Sequence, residues 1–315
     1  MNSEKKSSGW KWFWGVFITL VILSFIFAGI AFLFFAKTIS HTEKSFRYES
    51  FGSGKGKIAV VDLNYTIWTA EPIIRQFKKY REDKSIKAIL LRIDSPGGGV
   101  AASQEMYEEI RRTRESGKPI IISIASLGAS GSYMAACGGS YIVANSGSLV
   151  GSIGVIAQFI TIKDLAEKLG IKETTVKSGI LKDAGDPFRY PNPDDLVYFQ
   201  DIVNDSFEQF LEIVSKERKI DMEELKKIAN GRVFTGRQAL EHKLIDTIGT
   251  YEDAIKIACN IAKIEGEPVI VKERQIHNII DVFMNSFFKS EISEIKNEIK
   301  EEFLNQPILQ YKFEK

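Results

Sequence analysis

Residues 119–136, PIIISIASLGASGSYMAA, decide the fold prediction because they lead a buried strand into a helix through a turn of very small residues. The run 119–125 is apolar and rich in isoleucine, which is typical of a strand buried on both faces. Gly128 and Gly131 flank Ser130 and allow close backbone approaches that larger residues prevent. Such a turn exposes Ser130 at the end of a strand, with the N–H of Gly131 at a helix start. This arrangement suits a serine nucleophile beside an oxyanion donor, but by itself the pattern favours a tight strand-to-helix packing turn.

A second glycine-rich turn is predicted after the preceding strand. Residues 86–93 (IKAILLRI) have the composition of a buried strand, and residues 94–99 (DSPGGG) end it. Pro96 restricts Ser95 to extended geometry, and the glycines leave backbone N–H groups free to face a ligand. The turn lacks the Lys-Ser/Thr pair of a phosphate-binding P-loop, so a plain strand-to-helix turn is the alternative. Because ligands bind beyond the carboxyl ends of parallel strands, the two turns together predict a site.

Predicted strands and helices alternate along the rest of the chain, which indicates an α/β domain with largely parallel strands. Additional strands are predicted at 57–63 and 141–144. Helical spacing of apolar residues predicts helices at 72–83, 101–116, 162–169, 194–219, 221–230, 236–242 and 251–263. An amphipathic helical stretch begins after residue 275. It would pack on the body, between subunits or on a membrane, and the first two are favoured.

The N-terminal region predicts one membrane span. Residues 12–36 carry no charge, and at 1.5 Å per residue they exceed a hydrocarbon core of about 30 Å. Trp10, Trp12 and Trp14 cluster at one end, as expected at a membrane interface. The run is too long for the apolar part of a cleaved signal, and a buried core helix is the alternative. Lysines flank both ends, so the short head alone favours a cytoplasmic N-terminus and an extracytoplasmic domain at the cell membrane.

These patterns divide the chain into five parts. The expected parts are a tail at 1–11, an anchor at 12–36, a flexible linker at 37–56, a folded domain at 57–265 and a C-terminal helical extension at 266–315.

The composition of the chain excludes several classes of protein. Lys+Arg 42 against Asp+Glu 41 argues against a bulk nucleic-acid binder. Two cysteines exclude a disulfide scaffold and a four-cysteine zinc site.

Five motifs in order resemble the signal peptide peptidase A family, serine proteases of the Clp-protease/crotonase fold. They are DSPGG at 94–98, GASGSY at 128–133, GSIGV at 151–155, KSGILKDAGDP at 177–187 and GRVFTGRQAL at 231–240. The resemblance covers residues 57–263. It departs at Ser132, where the family usually has a second glycine.

The resemblance implies that Ser130 is the nucleophile and Lys182 the general base of a Ser-Lys dyad. It implies that Gly98 and Gly131 supply the N–H groups of the oxyanion hole. It further implies a repeated ββα spiral, no metal or organic cofactor, and remnant signal peptides or other short or unfolded peptides as substrates. Short family members form rings in which neighbouring subunits complete each site. A homo-oligomer held in the lipid bilayer by residues 12–36, with no nucleic-acid partner, is therefore expected.

A serine hydroxyl is a weak nucleophile unless a base removes its proton. A free lysine has a pKa of about 10.4, so a lysine base working near neutral pH needs about 3–4 kcal/mol of destabilisation of its charged form, usually by desolvation. Residues 179–181 give Lys182 apolar neighbours, although one such lysine among 42 basic residues is unremarkable by itself. The histidines offer no better base, because His242 has a solvated helix position and His277 lies in the extension.

Three other functions fit parts of the same sequence. A crotonase-type acyl-CoA enzyme would share the fold and the oxyanion hole, but would leave the serine and lysine idle. A non-catalytic membrane scaffold would use the C-terminal helices as its interaction surface. A related membrane protease would cut a specific membrane-protein partner instead of signal peptides, and the residues do not separate it from the leading interpretation.

Overall fold

The computed structural model describes residues 9–40, 46–52, 54–275 and 309–312. The chain divides into two compact units, one containing residues 1–47 and 274–278 and the other 48–273 and 279–315. The first unit holds the long helix α1 (Gly9–Ser40). Within the described residues, Trp12–Gly29 of this helix is the one segment long and apolar enough to cross a membrane.

The second unit holds eight further helices among the described residues. They are α2 (Glu71–Glu82), α3 (Val100–Glu115), α4 (Gly131–Cys137), α5 (Lys163–Lys168), α6 (Pro193–Arg218), α7 (Met222–Ile228), α8 (Gly236–Glu241) and α9 (Tyr251–Ala262). Side-chain caps explain where several of them begin. Asn192, Thr235 and Thr250 form capping boxes at α6, α8 and α9, and Asp221 caps α7.

The strands form a mixed sheet and a small second sheet. They are β1 (Phe46–Phe51), β2 (Lys57–Leu63), β3 (Ile86–Ser95), β4 (Gly97–Gly99), β5 (Ile120–Ala129), β6 (Tyr141–Ala144), β7 (Leu149–Gly151), β8 (Ile156–Ala157), β9 (Val233–Thr235), β10 (Thr247–Ile248), β11 (Val269–Gln275) and β12 (Leu309–Lys312). The large sheet has the order β1-β11-β2-β3-β5-β6-β10, and β7 pairs with the end of β5 and with β9. The neighbours β2, β3, β5 and β6 all run parallel, so the predicted α/β class with parallel strands is confirmed.

Two apolar layers cover the two faces of this sheet. Alternate residues of β2 point to opposite sides: Val61 and Leu63 join the larger core with α2, α3, α4 and α6, whereas Ile58 and Val60 join the smaller core with α9. This alternation follows from the two-residue period of a strand. Burial on both faces explains why the central strands are continuous apolar runs.

The structure differs from the predicted boundaries where distant strands pair. β5 continues to Ala129, four residues beyond its predicted end, because its last residues pair with β7. The stretch 37–56, expected to be a flexible linker, contains β1. The stretch expected to be a helical extension contains β11, which pairs with β2. The helical residues predicted between 276 and 303 lie outside the described residues.

Candidate active site

The two glycine-rich turns lie side by side at the carboxyl end of the parallel strands, as predicted. The register of β3 and β5 places Ser95 opposite Gly128. The hydroxyl of Ser132 donates to the carbonyl of Ser95 at 2.7 Å and so ties the two turns together. The Asp94 carboxylate accepts the N–H of Leu127 at 3.1 Å. Ser132, the departure from the family pattern, therefore has a structural role in joining the turns.

Ser130 occupies a strained turn between β5 and α4. Its backbone has φ 55° and ψ −122°, a region that residues with a side chain rarely adopt. Its N–H donates to the carbonyl of Gly151 at 2.6 Å, and its carbonyl accepts the N–H of Met134 at 2.9 Å. The turn was predicted to expose Ser130, but the residue is only 1% exposed, so that prediction is wrong for the described part of the chain. Its hydroxyl has no hydrogen-bond partner among the described residues. An unpaired hydroxyl beside the first N–H of α4, that of Gly131, has the geometry of a nucleophile near an oxyanion donor.

Gly98 packs against the backbone of Ile67. The Ile67 N–H donates to the carbonyl of Gly97 at 2.7 Å, and the Gly99 N–H donates to the carbonyl of Ile67 at 2.8 Å. A Cβ at Gly98 would lie 2.1 Å from the carbonyl oxygen of Ile67 and 2.6 Å from its nitrogen. Only glycine permits this approach. Because β4 also contacts α4, Gly98 lies in the same region as Gly131.

Replacing Gly98 by alanine is expected to destabilise the body. The atoms that a Cβ would meet belong to the backbone, so no side-chain rotation relieves the clash. We expect the melting temperature to fall by roughly 5–10 °C, which thermal unfolding in detergent would measure. Gly147→Ala is the matched control, because nothing lies within 4 Å of its Cβ position. An unchanged melting temperature in Gly98→Ala would contradict this packing.

An extended strand of the chain's own backbone lies along β4. β12 pairs antiparallel with β4, where Tyr311 is opposite Gly98, and antiparallel with β8, where Gln310 is opposite Ile156. β4 and β8 thus form the two walls of a groove, here called the strand groove, that accepts extended backbone. The sequence did not predict it, because β8 has only two residues and β12 lies in the stretch expected to be helical. The glycine and β-branched residues concentrated in 149–159 were the available signal.

Lys182 lies in an exposed segment between α5 and α6. Its N–H donates to the carbonyl of Gly179 at 3.2 Å, and its side chain makes no ion pair with a described residue. No hydrogen bond joins Lys182 to Ser130 in the described part of this one chain. The structure therefore brings Ser130, Gly131 and Gly98 into one region but leaves Lys182 without contact to the serine hydroxyl.

Other nucleophiles and bases near this region are poorly placed for chemistry. Cys137 is the last residue of α4, and burial raises the pKa of its thiol to about 12, so it stays protonated. The ring of His242 packs against Phe234, with ring centroids 4.9 Å apart. Among the described residues, no group of three or more His, Cys, Asp or Glu residues is placed to hold a metal ion.

A cavity of about 530 Å³ lies between α6 and the connection from β7 to β8. Its lining is mostly apolar and includes Ile153, Val155 and Ile156 from the connection and Val203 and Phe207 from α6. Because Ile156 also belongs to a wall of the strand groove, the cavity adjoins that groove. The sequence did not predict it, since its two walls lie more than 40 residues apart in the chain.

Comparison with known proteins agrees with a peptide-cleaving site. The family model described as peptidase family S49 matches residues 112–265. A chain from Synechocystis sp. that is named as a protease is 37% identical over 219 residues, which cover 69% of this chain and 78% of that one. A chain from Enterococcus faecium named as the signal peptide peptidase SppA is 34% identical over 221 residues, which cover 70% of this chain and 63% of that one.

A third relative, the chloroplastic serine protease SPPA of Arabidopsis thaliana, is 35% identical over 196 residues, or 62% of this chain and 29% of that one. The matched region thus spans less than two thirds of the Enterococcus and Arabidopsis proteins. All three relatives are named as proteases or peptidases. The family model covers both Ser130 and Lys182. The chain belongs to peptidase family S49 and is a serine-type peptidase.

Proposed function

We propose that the chain is a membrane-anchored endopeptidase in which Ser130 is the nucleophile and Lys182 the general base. Gly98 and Gly131 would supply the N–H groups of the oxyanion hole. The observation that carries this proposal is the strained backbone of Ser130, which holds an unpaired hydroxyl at the carboxyl end of the sheet beside the start of α4. Such strain persists only where the surroundings enforce it, and it is typical of active sites.

The proposed mechanism uses one proton carrier for both halves of the reaction. The neutral amine of Lys182 takes the proton of the Ser130 hydroxyl while Oγ bonds to the substrate carbonyl carbon. The N–H groups of Gly98 and Gly131 stabilise the oxyanion. The lysine ammonium then protonates the leaving amine, which breaks the peptide bond and leaves an ester on Ser130. The same lysine then deprotonates a water molecule, whose oxygen bonds to the ester carbon. The bond from that carbon to Oγ breaks, which releases the acid, and the lysine ammonium returns the proton to Oγ.

The strand groove supports an extended peptide as the substrate. Backbone pairing with β4 and β8 binds a peptide without regard to its sequence, and pockets for alternate side chains add specificity. The cavity lined by Ile156, Val203 and Phe207 adjoins the groove and would accept an apolar side chain. Most strands of a folded protein are already paired within its own sheets, so its backbone is less available to the groove. We therefore infer that short or unfolded peptides are the substrates.

A second copy of the chain is proposed to complete each site. The segment around Lys182 exposes large apolar side chains, and Val176 is 96% exposed. The others include Ile160, Leu165, Leu169, Ile171 and Ile180. Large exposed apolar side chains concentrated in one segment are typical of an interaction site. Packing of this segment against a neighbour would bury it and bring a lysine to a serine of the adjoining subunit, within a ring.

The anchor in α1 would keep the site near the substrates that it cleaves. The named activity of the Enterococcus relative points to signal peptides, which are apolar and remain in the bilayer after release. We propose that the N-terminus is cytoplasmic and the peptidase body extracytoplasmic. We also propose that the body, over 57–265, has the repeated ββα spiral of the Clp-protease/crotonase fold.

A serine-reactive fluorophosphonate tests the assignment of the nucleophile. We expect the probe to label the detergent-solubilised chain, with the adduct mapped to Ser130 by mass spectrometry. An acyl-CoA enzyme of the same fold has no reason to activate this hydroxyl, so it would stay unlabelled. Labelling at Ser126 or Ser132 instead of Ser130 would refute the assignment.

Removing residues 309–315 is expected to improve the binding of short peptides. β12 and a substrate would occupy the same groove, so the substrate binds only while β12 is displaced. We expect KM to fall by roughly three- to tenfold with kcat unchanged, in proportion to the fraction of free groove gained. Gln310→Pro, which removes one backbone donor of β12, should act in the same direction. Steady-state kinetics that show an unchanged KM in both variants would contradict the strand groove as the substrate site.

A further inference from the structure

The guanidinium of Arg189 joins the segment that carries Lys182 to the start of α6. Arg189 donates to both carboxylate oxygens of Asp195, the second at 2.9 Å. It also donates to the backbone carbonyl of Asp183 at 2.8 Å and to the Asp183 carboxylate at 3.0 Å. Asp183 directly follows Lys182. One planar side chain therefore connects the neighbour of the proposed base to the first turn of α6.

The end of this connection at α6 is rigid. The side chain of Asp195 is fully buried and accepts the N–H of Asn192 at 2.9 Å, which completes the capping box of α6. The hydrogen bonds from Arg189 lower the pKa of the Asp195 carboxyl to about 2, so it is charged at neutral pH. α6 is 26 residues long and packs on α4, the helix that begins directly after Ser130.

Fewer contacts hold the part of the segment before Asp183. Residues 171–182 are exposed, and Lys177 forms an ion pair with the Asp183 carboxylate at 2.7 Å, which lies inside the same segment. Gly185 packs on the ring of Phe159, whose centroid lies 4.2 Å from that of Phe199 on α6. This apolar contact fixes the segment beyond Asp183. It lies three residues from Lys182, whereas the bonds from Arg189 hold Asp183, the residue next to Lys182.

We propose that Arg189 is a positioning residue, which sets the place of the Lys182 amine by holding Asp183 against the N-terminus of α6. The inference rests on the proposed role of Lys182 as the general base. It applies equally when that lysine serves a serine in the same chain or in a neighbour. Lysine cannot replace Arg189 fully, because an ammonium lacks the planar fork that reaches two carboxylates and a carbonyl at once.

The test compares Arg189→Gln with Arg75→Gln in the full-length oligomer. Arg75 also makes a two-bond ion pair across the chain, to Glu273 at 2.9 Å, but on α2 and β11. A base displaced by about 1 Å lowers the rate of the chemical step, so we expect kcat of Arg189→Gln to fall roughly 100-fold. KM should change less than threefold, since the strand groove is untouched. Arg189→Lys should recover part of kcat, and Arg75→Gln should keep it.

Two further measurements separate the possible failures. Melting temperatures of Arg189→Gln and Arg75→Gln should be similar, and a kcat loss explained by unfolded protein would overturn the inference. An Arg189→Gln variant with the kcat of Arg75→Gln would also overturn it. Lys182→Met tests the underlying function alone. If Lys182→Met is inactive while Arg189→Gln is fully active, the positioning role fails and the dyad stands; if Lys182→Met is active, the dyad itself fails.

Discussion

Ser130→Ala is expected to lower kcat/KM for peptide hydrolysis by roughly four orders of magnitude or more. The substitution removes the atom that would bond to the substrate carbonyl carbon. The hydroxyl of Ser132, two residues along the chain, donates to the carbonyls of Ser95 and Ala129, so it is held away from this role. Because the Ser130 hydroxyl has no partner in the described chain, its loss should leave the melting temperature unchanged.

Two companion variants sharpen this result. Ser130→Gly should be equally inactive but more stable by about 1–3 kcal/mol, because glycine relieves the strain of a residue held at φ 55°. Ser123→Ala, in the middle of β5, removes a buried serine that accepts a hydrogen bond from Arg92 at 2.7 Å and should remain active. The rate of peptide cleavage and the melting temperature should be measured for Ser130→Ala, Ser130→Gly and Ser123→Ala. Peptide hydrolysis retained by Ser130→Ala would contradict the assignment of Ser130 as the nucleophile.

Lys182→Met is expected to lower kcat/KM by roughly 10²- to 10⁴-fold, the usual contribution of a general base. Methionine keeps the length and apolar stem of the side chain but cannot accept a proton. A lysine base is active only when it is uncharged, so the wild-type rate should rise with pH. This rise should vanish in Lys182→Met. Lys172→Met, another exposed lysine of the same region, is the control. A pH–rate profile like that of the wild type in Lys182→Met would count against the assignment.

Mixing the two inactive variants tests whether neighbouring subunits share a site. If Ser130 of one subunit meets Lys182 of the next, equal amounts of Ser130→Ala and Lys182→Met chains that assemble together should restore about one quarter of the sites. If both residues act within one chain, the mixture should stay inactive. Coexpression followed by affinity purification on two different tags would isolate mixed oligomers for the assay. The activity of wild-type chains mixed with an equal amount of Ser130→Ala chains provides the reference.

The local features of the site could be predicted because they depend on short stretches. The apolar runs at 86–93 and 119–125 predicted buried parallel strands, and the small residues after them predicted turns. Parallel neighbours then required both turns to lie at one edge, where Ser95 is indeed opposite Gly128. The strained backbone of Ser130 was beyond prediction, since the hydrogen bond to Gly151 that enforces it comes from β7.

The contacts of Arg189 also could not be predicted from the sequence. The stretch before Arg189 was singled out only by the family motif at 177–187. Nothing in the spacing of Asp183, Arg189 and Asp195 indicated that one guanidinium joins the two carboxylates. A salt bridge requires a geometry that the chain adopts only when α6 begins at residue 193 and its cap is buried. Charge alone does not specify that geometry.

The amino-acid sequence by itself determined the alternation of strands and helices, the two glycine-rich turns and the family, because periodic burial and backbone sterics act over a few residues. Only the tertiary structure decided which backbone edges pair: β1 with β11, β7 with the end of β5, and β12 with β4 and β8. The reason is physical. Every strand edge offers the same N–H and C=O groups, so the choice of partner depends on how the whole body places those edges in space.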